Sequence, residues 1–191
     1  MPWEKRFDVD EARRNAMTAF WTHGYESTSM QDLLDAMGIQ RGSFYDTFKS
    51  KHHVLLEALR QYDQGRKDAF AKARRGESAK QTIVDFFESI AAEARHADGR
   101  RGCLLVNCAL ERAPKDAEVA KVVSRAFEET ENFFRTLIER GRKTGEIPKY
   151  VAPRSTARAL LGLLLGMRVL ARAGAADTVD SIAAQAAAML E

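Results

Sequence analysis

The stretch SMQDLLDAMGIQRGSFYDTFKSK, residues 29–51, decides the fold. Leu33 and Met37 recur at helical spacing before Gly38, and Ile39 and Phe44 follow it; packed on one another they predict two short helices meeting at a sharp bend. Glycine tolerates the positive φ that such a bend needs, so residue type and spacing agree. Thr28 with Gln31 has the spacing of a capping box and is expected to open the first helix of the pair, which ends at Met37. The second runs from about Gln40 to Thr47, and Ser50 is placed to cap a longer helix from Lys51 to about Lys72.

Helical spacing extends outward on both sides. Upstream, Asp8 and Glu11 form a capping box and Phe7 is placed to staple against Ala12; Val9, Ala12, Ala16, Ala19 and Phe20 then share one face of a helix from about Val9 to His23, stopped at Gly24. Downstream, Ser78 is expected to cap a helix to about His96, and a basic turn, His96 to Gly102, leads into a short apolar segment, Cys103 to Leu110. With no second strand pattern to pair with it, that segment is read as helix. Pro114 breaks the chain before a long amphipathic helix from about Asp116 to Lys143. Another helix starts at Pro153 and ends near Gly174, and Asp177 is expected to cap the last. The fold class is all-α, with roughly nine helices and no internal repeat.

Composition narrows the function classes. The chain has 191 residues, 30 Lys and Arg against 27 Asp and Glu, and a formal charge of +3, so a polyanionic partner is allowed but must be argued from local placement. Residues 1 to 60 hold eight Lys and Arg and nine Asp and Glu, with the basic groups gathered around 41 to 53. Two cysteines cannot staple a small secreted domain, residues 1 to 6 carry no apolar leader, and the longest strongly apolar run, Ala159 to Met167, is far short of the roughly 20 residues that cross a bilayer. The expected setting is the cytoplasm, with no membrane contact. His23, His52, His53 and His96 lack metal-ligand spacing, and neither a phosphate-cradling loop nor a Ser/His/Asp grouping stands out, so no enzyme, metal or cofactor is expected.

The outer side of the second short helix bears Gln40, Arg41, Ser43, Tyr45 and Thr47, with Lys49 and Lys51 close by. An arginine fork fits guanine O6 and N7, glutamine fits adenine, and hydroxyls and ammonium groups hold phosphates, so this face suits a DNA duplex. The run Gly24 to Met30 with Gly38 to Tyr45, ending Phe44-Tyr45-Asp46-Thr47-Phe48-Lys49-Ser50-Lys51, resembles the DNA-binding domain of TetR-family transcriptional regulators. The resemblance implies that Gln40, Arg41 and Gly42 face bases, that Ser43, Tyr45, Thr47 and Lys51 hold phosphates, and that Ser29 and Gln31 assist from the preceding helix. It further implies a DNA-binding domain over residues 1–54 and a regulatory, dimerising domain over residues 55–191.

For the second domain, Leu160, Gly162, Leu163, Gly166, Met167 and Leu170, joined by Ile182, Ala186 and Met189, are expected at a homodimer interface, with the two glycines permitting close helix approach. Buried core is the competing explanation. A small-molecule effector is implied by the family. Phe86, Asn107, Phe127 and Glu131 are candidates to line its pocket, against the plainer reading of such aromatics as core. Cys103, after Arg100, Arg101 and Gly102 at an expected helix start, and Cys108 are candidate sensor thiols, against the plainer reading of two small buried side chains. Across five helical residues their Cα atoms lie roughly 8 to 9 Å apart, too far for a disulfide. The stretch Gly102-Cys103-Leu104-Leu105-Val106-Asn107, ending in Ala109-Leu110-Glu111, resembles a TetR branch that includes regulators responding to reactive aldehydes, electrophiles, oxidants and acrylate. The alternatives are a helical protein-interaction module and a metal-responsive regulator using the two cysteines and a histidine.

Overall fold

The computed structural model describes residues 7–97 and 99–191. The leader reading of residues 1 to 6, and Asp98 within the basic turn, lie outside the described residues. Among the described residues the protein is all-helical: α1 Val9–His23, α2 Met30–Met37, α3 Arg41–Phe48, α4 Lys51–Ala73, α5 Ala79–Ala94, α6 Leu104–Glu111, α7 Ala117–Thr144, α8 Pro153–Arg172 and α9 Ala176–Ala188. Single turns of tighter helix precede and follow α6. No described helix is long and apolar enough to cross a membrane.

Helix starts follow capping chemistry, with two corrections. Asp8 accepts from the Asp10 and Glu11 amides, Ser50 from His53, Ser78 from Gln81, and Asp116 from Glu118 and Val119. At α2, however, the capping box is Ser29 with Asp32, one residue beyond the expected Thr28 and Gln31. The Thr28 hydroxyl is buried and donates instead to the Gly24 carbonyl at 2.6 Å, so it is not free to cap. At α9 the cap position is Ala175, and Asp177 sits inside the first turn, where its charge still complements the helix dipole.

Two apolar clusters organise the chain. One joins α1 to α4 with α6 and the first half of α7, through Phe20, Leu33, Phe44, Phe48, Leu55, Leu59, Leu104 and Val123. The other joins α5, the rest of α7, α8 and α9, through Ile83, Phe87, Phe133, Phe134, Leu160, Met167 and Ala186. Leu160, Met167 and Ala186, expected at a dimer face, are fully enclosed in this protomer's own core. Gly162 is exposed, Leu163, Gly166, Leu170, Ile182 and Met189 are partly exposed, and Val169, which the sequence reading passed over, is 45% exposed.

Candidate nucleic-acid interface and cavity

Helix α3 is positioned from both ends. Gly38 takes the left-handed conformation, φ 66° and ψ 31°, and the Ile39 amide reaches back to the Leu34 carbonyl at 3.2 Å, closing α2 and turning the chain into α3. Phe44 and Phe48 are fully buried, their ring centroids 5.8 Å apart, and this pair fixes which side of α3 faces inward. Gln40, Arg41 and Gly42 are therefore exposed, Tyr45 is 44% exposed, and Ser43 and Thr47 are half-buried at the flanks. The first turn of α3 carries no acidic residue, which leaves its positive dipole end uncompensated beside Arg41. The Arg41 guanidinium lies 6.0 Å from the Tyr45 ring centroid.

The flanking groups are held in place. Ser29 uses its hydroxyl oxygen as the α2 cap, and Gln31 donates to Asp35 at 2.8 Å. The Lys51 ammonium rests 4.2 Å from the Tyr25 ring centroid, and burial lowers its pKa from the ordinary lysine value. Lys49 is the one described non-glycine residue with positive φ, at 66°, and the Ser50 amide bonds across it to the Phe48 carbonyl at 2.7 Å. This is a strained three-residue turn at the foot of α3.

Helix α6 ties this hairpin to the rest of the protein, a role the sequence reading missed. At its C-terminal end the Glu111 carboxylate accepts from the backbone amides of Tyr25 and Glu26 at 3.1 and 2.7 Å. Those amides follow Gly24, whose φ of 88° and ψ of 162° belong to a region open essentially to glycine. Arg112 bridges Glu26 and Asp116, and His52 meets Asp116 at 2.8 Å. Just before α6, the Trp21 indole N–H donates to the Gly102 carbonyl at 3.1 Å, and Arg172 donates to the carbonyls of Trp21 and Arg101.

The N-terminal part of α6 forms one wall of a cavity of about 550 Å³. Met17 of α1, Gln61, Tyr62, Arg66 and Phe70 of α4, Phe86, Ile90 and Glu93 of α5, Cys103, Leu105 and Val106, Phe127 and Thr130 of α7, and Leu164 and Arg168 of α8 are among the residues that line it. Of the six expected pocket or sensor residues, Phe86, Phe127 and Cys103 line this space. Asn107 does not; its side chain donates to the Arg101 carbonyl at 3.1 Å. Glu131 pairs with Arg158 on another surface, at 3.1 Å. Cys108 is buried in the core beneath the hairpin, where burial first, then Glu111 and Cys103, push its thiol up to about 12, leaving it protonated and inert. Both cysteines are free. Among the described residues no group of three or more His, Cys, Asp or Glu side chains is placed to hold a metal.

Tyr62, Gln61 and Arg168 were not singled out from the sequence. Their signal is faint, because a polar residue on a helix reads as solvated until the neighbouring helices are placed. Burial first, then the neighbouring Cys103 sulfur, hold the Tyr62 hydroxyl's pKa well above the ordinary value.

Comparison with known proteins agrees with this architecture. Residues 13–58 match the family model described as bacterial regulatory proteins, tetR family, and residues 79–187 match that of the tetracyclin repressor-like C-terminal domain. The chain is 33% identical over 144 residues to the uncharacterized HTH-type transcriptional regulator YezE of Bacillus subtilis, covering 75% of this chain and 74% of the relative. It is 29% identical over 177 residues to the HTH-type transcriptional repressor ComR of Escherichia coli, covering 90% and 82%. Among solved structures, a cysteine mutant of the regulator CifR, complexed with 26-base-pair operator DNA, superposes with a TM-score of 0.87 at 26% identity, covering 98% of each chain.

Proposed function

Because the chain belongs to the TetR family of DNA-binding transcriptional regulators, which are not enzymes, we propose that it is a homodimeric repressor: α3 reads operator DNA, and a small molecule in the cavity releases it. The observation that carries this reading is the two-sided build of α3, with Phe44 and Phe48 locked inward and Gln40, Arg41 and Tyr45 left outward. Gln40, Arg41 and Gly42 face base edges, while Ser43, Tyr45, Thr47 and Lys51, helped by Ser29 and Gln31, hold phosphates. The repressor assignment is supported by the name of ComR and by the operator complex of CifR. Its working compartment is the cytoplasm.

Two half-sites about 34 to 36 Å apart call for two copies of α3. The exposed side of α8 and α9, with Gly162, Leu163, Gly166, Val169, Leu170, Ile182 and Met189, supplies a face for a four-helix contact between protomers. Release follows from α6, one end of which walls the cavity while the other holds the Tyr25 and Glu26 amides. A ligand that binds better to a shifted α6 moves the hairpin and lowers affinity for DNA.

Cys103 supports a second route. It lies half-buried in the cavity wall at the α6 N-cap, near Arg168. There its sulfur would add to the β-carbon of an unsaturated carbonyl, with the thiol proton passing to the α-carbon. The thiol route predicts that Cys103→Ser retains operator binding but no longer releases the duplex on titration with such an electrophile; unchanged release overturns that route. For the DNA reading, Arg41→Ala should relax base preference on duplexes selected from a random pool, while Lys51→Ala weakens all duplexes by similar factors. Equal losses on selected and scrambled duplexes for Arg41→Ala would remove its base-reading role.

A further inference from the structure

Helix α4 presents Gln61, Tyr62, Gly65, Arg66, Ala69 and Phe70 to the cavity, a repeat that keeps one side of the helix on the space. The wall is apolar in the main, so each polar group in it needs a partner or a ligand. Most have one within the protein. Arg66 donates to Asp63 at 2.6 and 2.9 Å, to Glu129 at 2.8 Å and to Thr130 at 3.0 Å, and its guanidinium lies 5.0 Å from the Phe70 ring centroid. Lys67 closes the same network through Asp63 and Glu129, and Arg125 adds a bond to Glu129. Arg168 is paired with Glu93 at 2.7 Å. Thr130 and Ser89 donate their hydroxyl protons to the carbonyls of Ala126 and Phe86, both at 2.8 Å.

One polar atom is left over. The side-chain oxygen of Gln61, a residue that lines the cavity, has no hydrogen-bond partner and almost no accessible surface, so a ligand donor meets it when the Gln61 amide turns toward the space. A buried acceptor without a donor is destabilising, and a ligand donor would recover that loss. An anionic ligand, by contrast, would find both wall cations, Arg66 and Arg168, already engaged by carboxylates. A cationic ligand would have to draw Asp63, Glu93 or Glu129 away from an existing partner. Either charge would be desolvated without a free counterion.

Resting on the reading of this cavity as the effector site, we propose that it selects an uncharged, largely aromatic or aliphatic molecule that donates one hydrogen bond to the Gln61 side-chain oxygen. Its apolar body lies among Phe70, Phe86, Phe127 and Leu164. Such a ligand satisfies the one orphan acceptor and leaves both ion-pair networks intact. A volume of about 550 Å³ falls within the range of small-molecule sites.

Three compounds on one skeleton test this. N-phenyl-1-naphthylamine is neutral with a single N–H donor; 1-phenoxynaphthalene replaces that N–H by an ether oxygen; 1-anilinonaphthalene-8-sulfonate keeps the N–H and adds a negative charge. Affinities are measured on the full chain by fluorescence of the two amines and by displacement of the neutral amine by the ether. The neutral amine should bind tightest, the ether about fivefold more weakly and the sulfonate at least about tenfold more weakly. Gln61→Leu, which removes an unsatisfied polar atom and so should leave the fold intact, should weaken the amine by about the same fivefold and leave the ether unchanged.

Sulfonate binding as tight as that of the neutral amine overturns the charge argument. A Gln61→Leu effect equal on amine and ether, or absent from both, overturns the hydrogen bond, and failure of all three compounds to bind overturns the proposal entirely. Adding the neutral amine to the complex with a selected duplex tests the underlying reading separately. Binding as expected with no change in DNA affinity supports the ligand class while removing the cavity's regulatory role.

Discussion

The α2–α3 hairpin and the cavity differ in how far along the chain their parts come from. Every element that aims α3 lies between the Ser29 cap and the Ser50 cap: the Asp32 capping box, the left-handed Gly38 and the inward Phe44 and Phe48. The cavity takes residues from Met17 to Arg168 and exists only when α1, α4, α5, α6, α7 and α8 are all in place. A short-range device can be read from spacing, whereas an enclosed space depends on the register of several helices at once. The hairpin should accordingly be intolerant of single changes to its filling, while the cavity wall should tolerate them.

The largest expected contrast is between two phenylalanines. Phe44→Ala empties a fully enclosed site and should cost about 3 to 5 kcal/mol with loss of DNA binding, whereas Phe127→Ala enlarges a space that already exists and should cost less than half as much. Urea denaturation of both variants checks this, and equal losses would erase the contrast.

Smaller and opposite in sign is a pair of glycines. Gly38→Ala meets no atom within 4 Å, so its whole effect is the left-handed backbone, about 1 to 2 kcal/mol of destabilisation. Gly65→Ala, on the cavity side of α4 and also in open space, should stabilise by about 0.5 to 1 kcal/mol through helix propensity. The same two denaturation curves with the same sign would break the argument.

The smallest effect concerns pH. Glu146, in the loop after α7, accepts from the Ser78 and Thr144 hydroxyls and the Lys80 amide, and these bonds lower its pKa to about 2. A carboxylate with a depressed folded-state pKa contributes stability above its unfolded value, near 4.5, and loses it as pH falls toward about 2. Glu146→Gln should therefore flatten the stability profile across that window, measured by thermal melting in a pH series. A profile unchanged by the substitution would show that the carboxylate's charge is not what anchors the start of α5.

Legibility from sequence follows the same division. The hairpin, its glycine bend and its outward residues could be read because capping, glycine conformation and the inward phenylalanines act within one or two turns of helix. The capping register slipped by one at α2 because the Thr28 hydroxyl bonds backward to Gly24 rather than forward into the helix. The lining of the cavity was less legible. Phe86 and Phe127 were legible as large aromatics, but Asn107, Cys108 and Glu131 turn elsewhere, toward the Arg101 carbonyl, the hairpin core and Arg158.

By itself the sequence determined an all-helical chain with a short glycine-bent helix pair near its start, because hydrophobic period, caps and breakers are properties of neighbouring residues. Tertiary structure alone decided that Glu111 grips the Tyr25 and Glu26 amides, that Leu160, Met167 and Ala186 face inward, and that Gln61 is left with an unanswered acceptor. The physical reason is that burial and hydrogen-bond satisfaction depend on which helices lie against one another, and no local spacing rule encodes that packing.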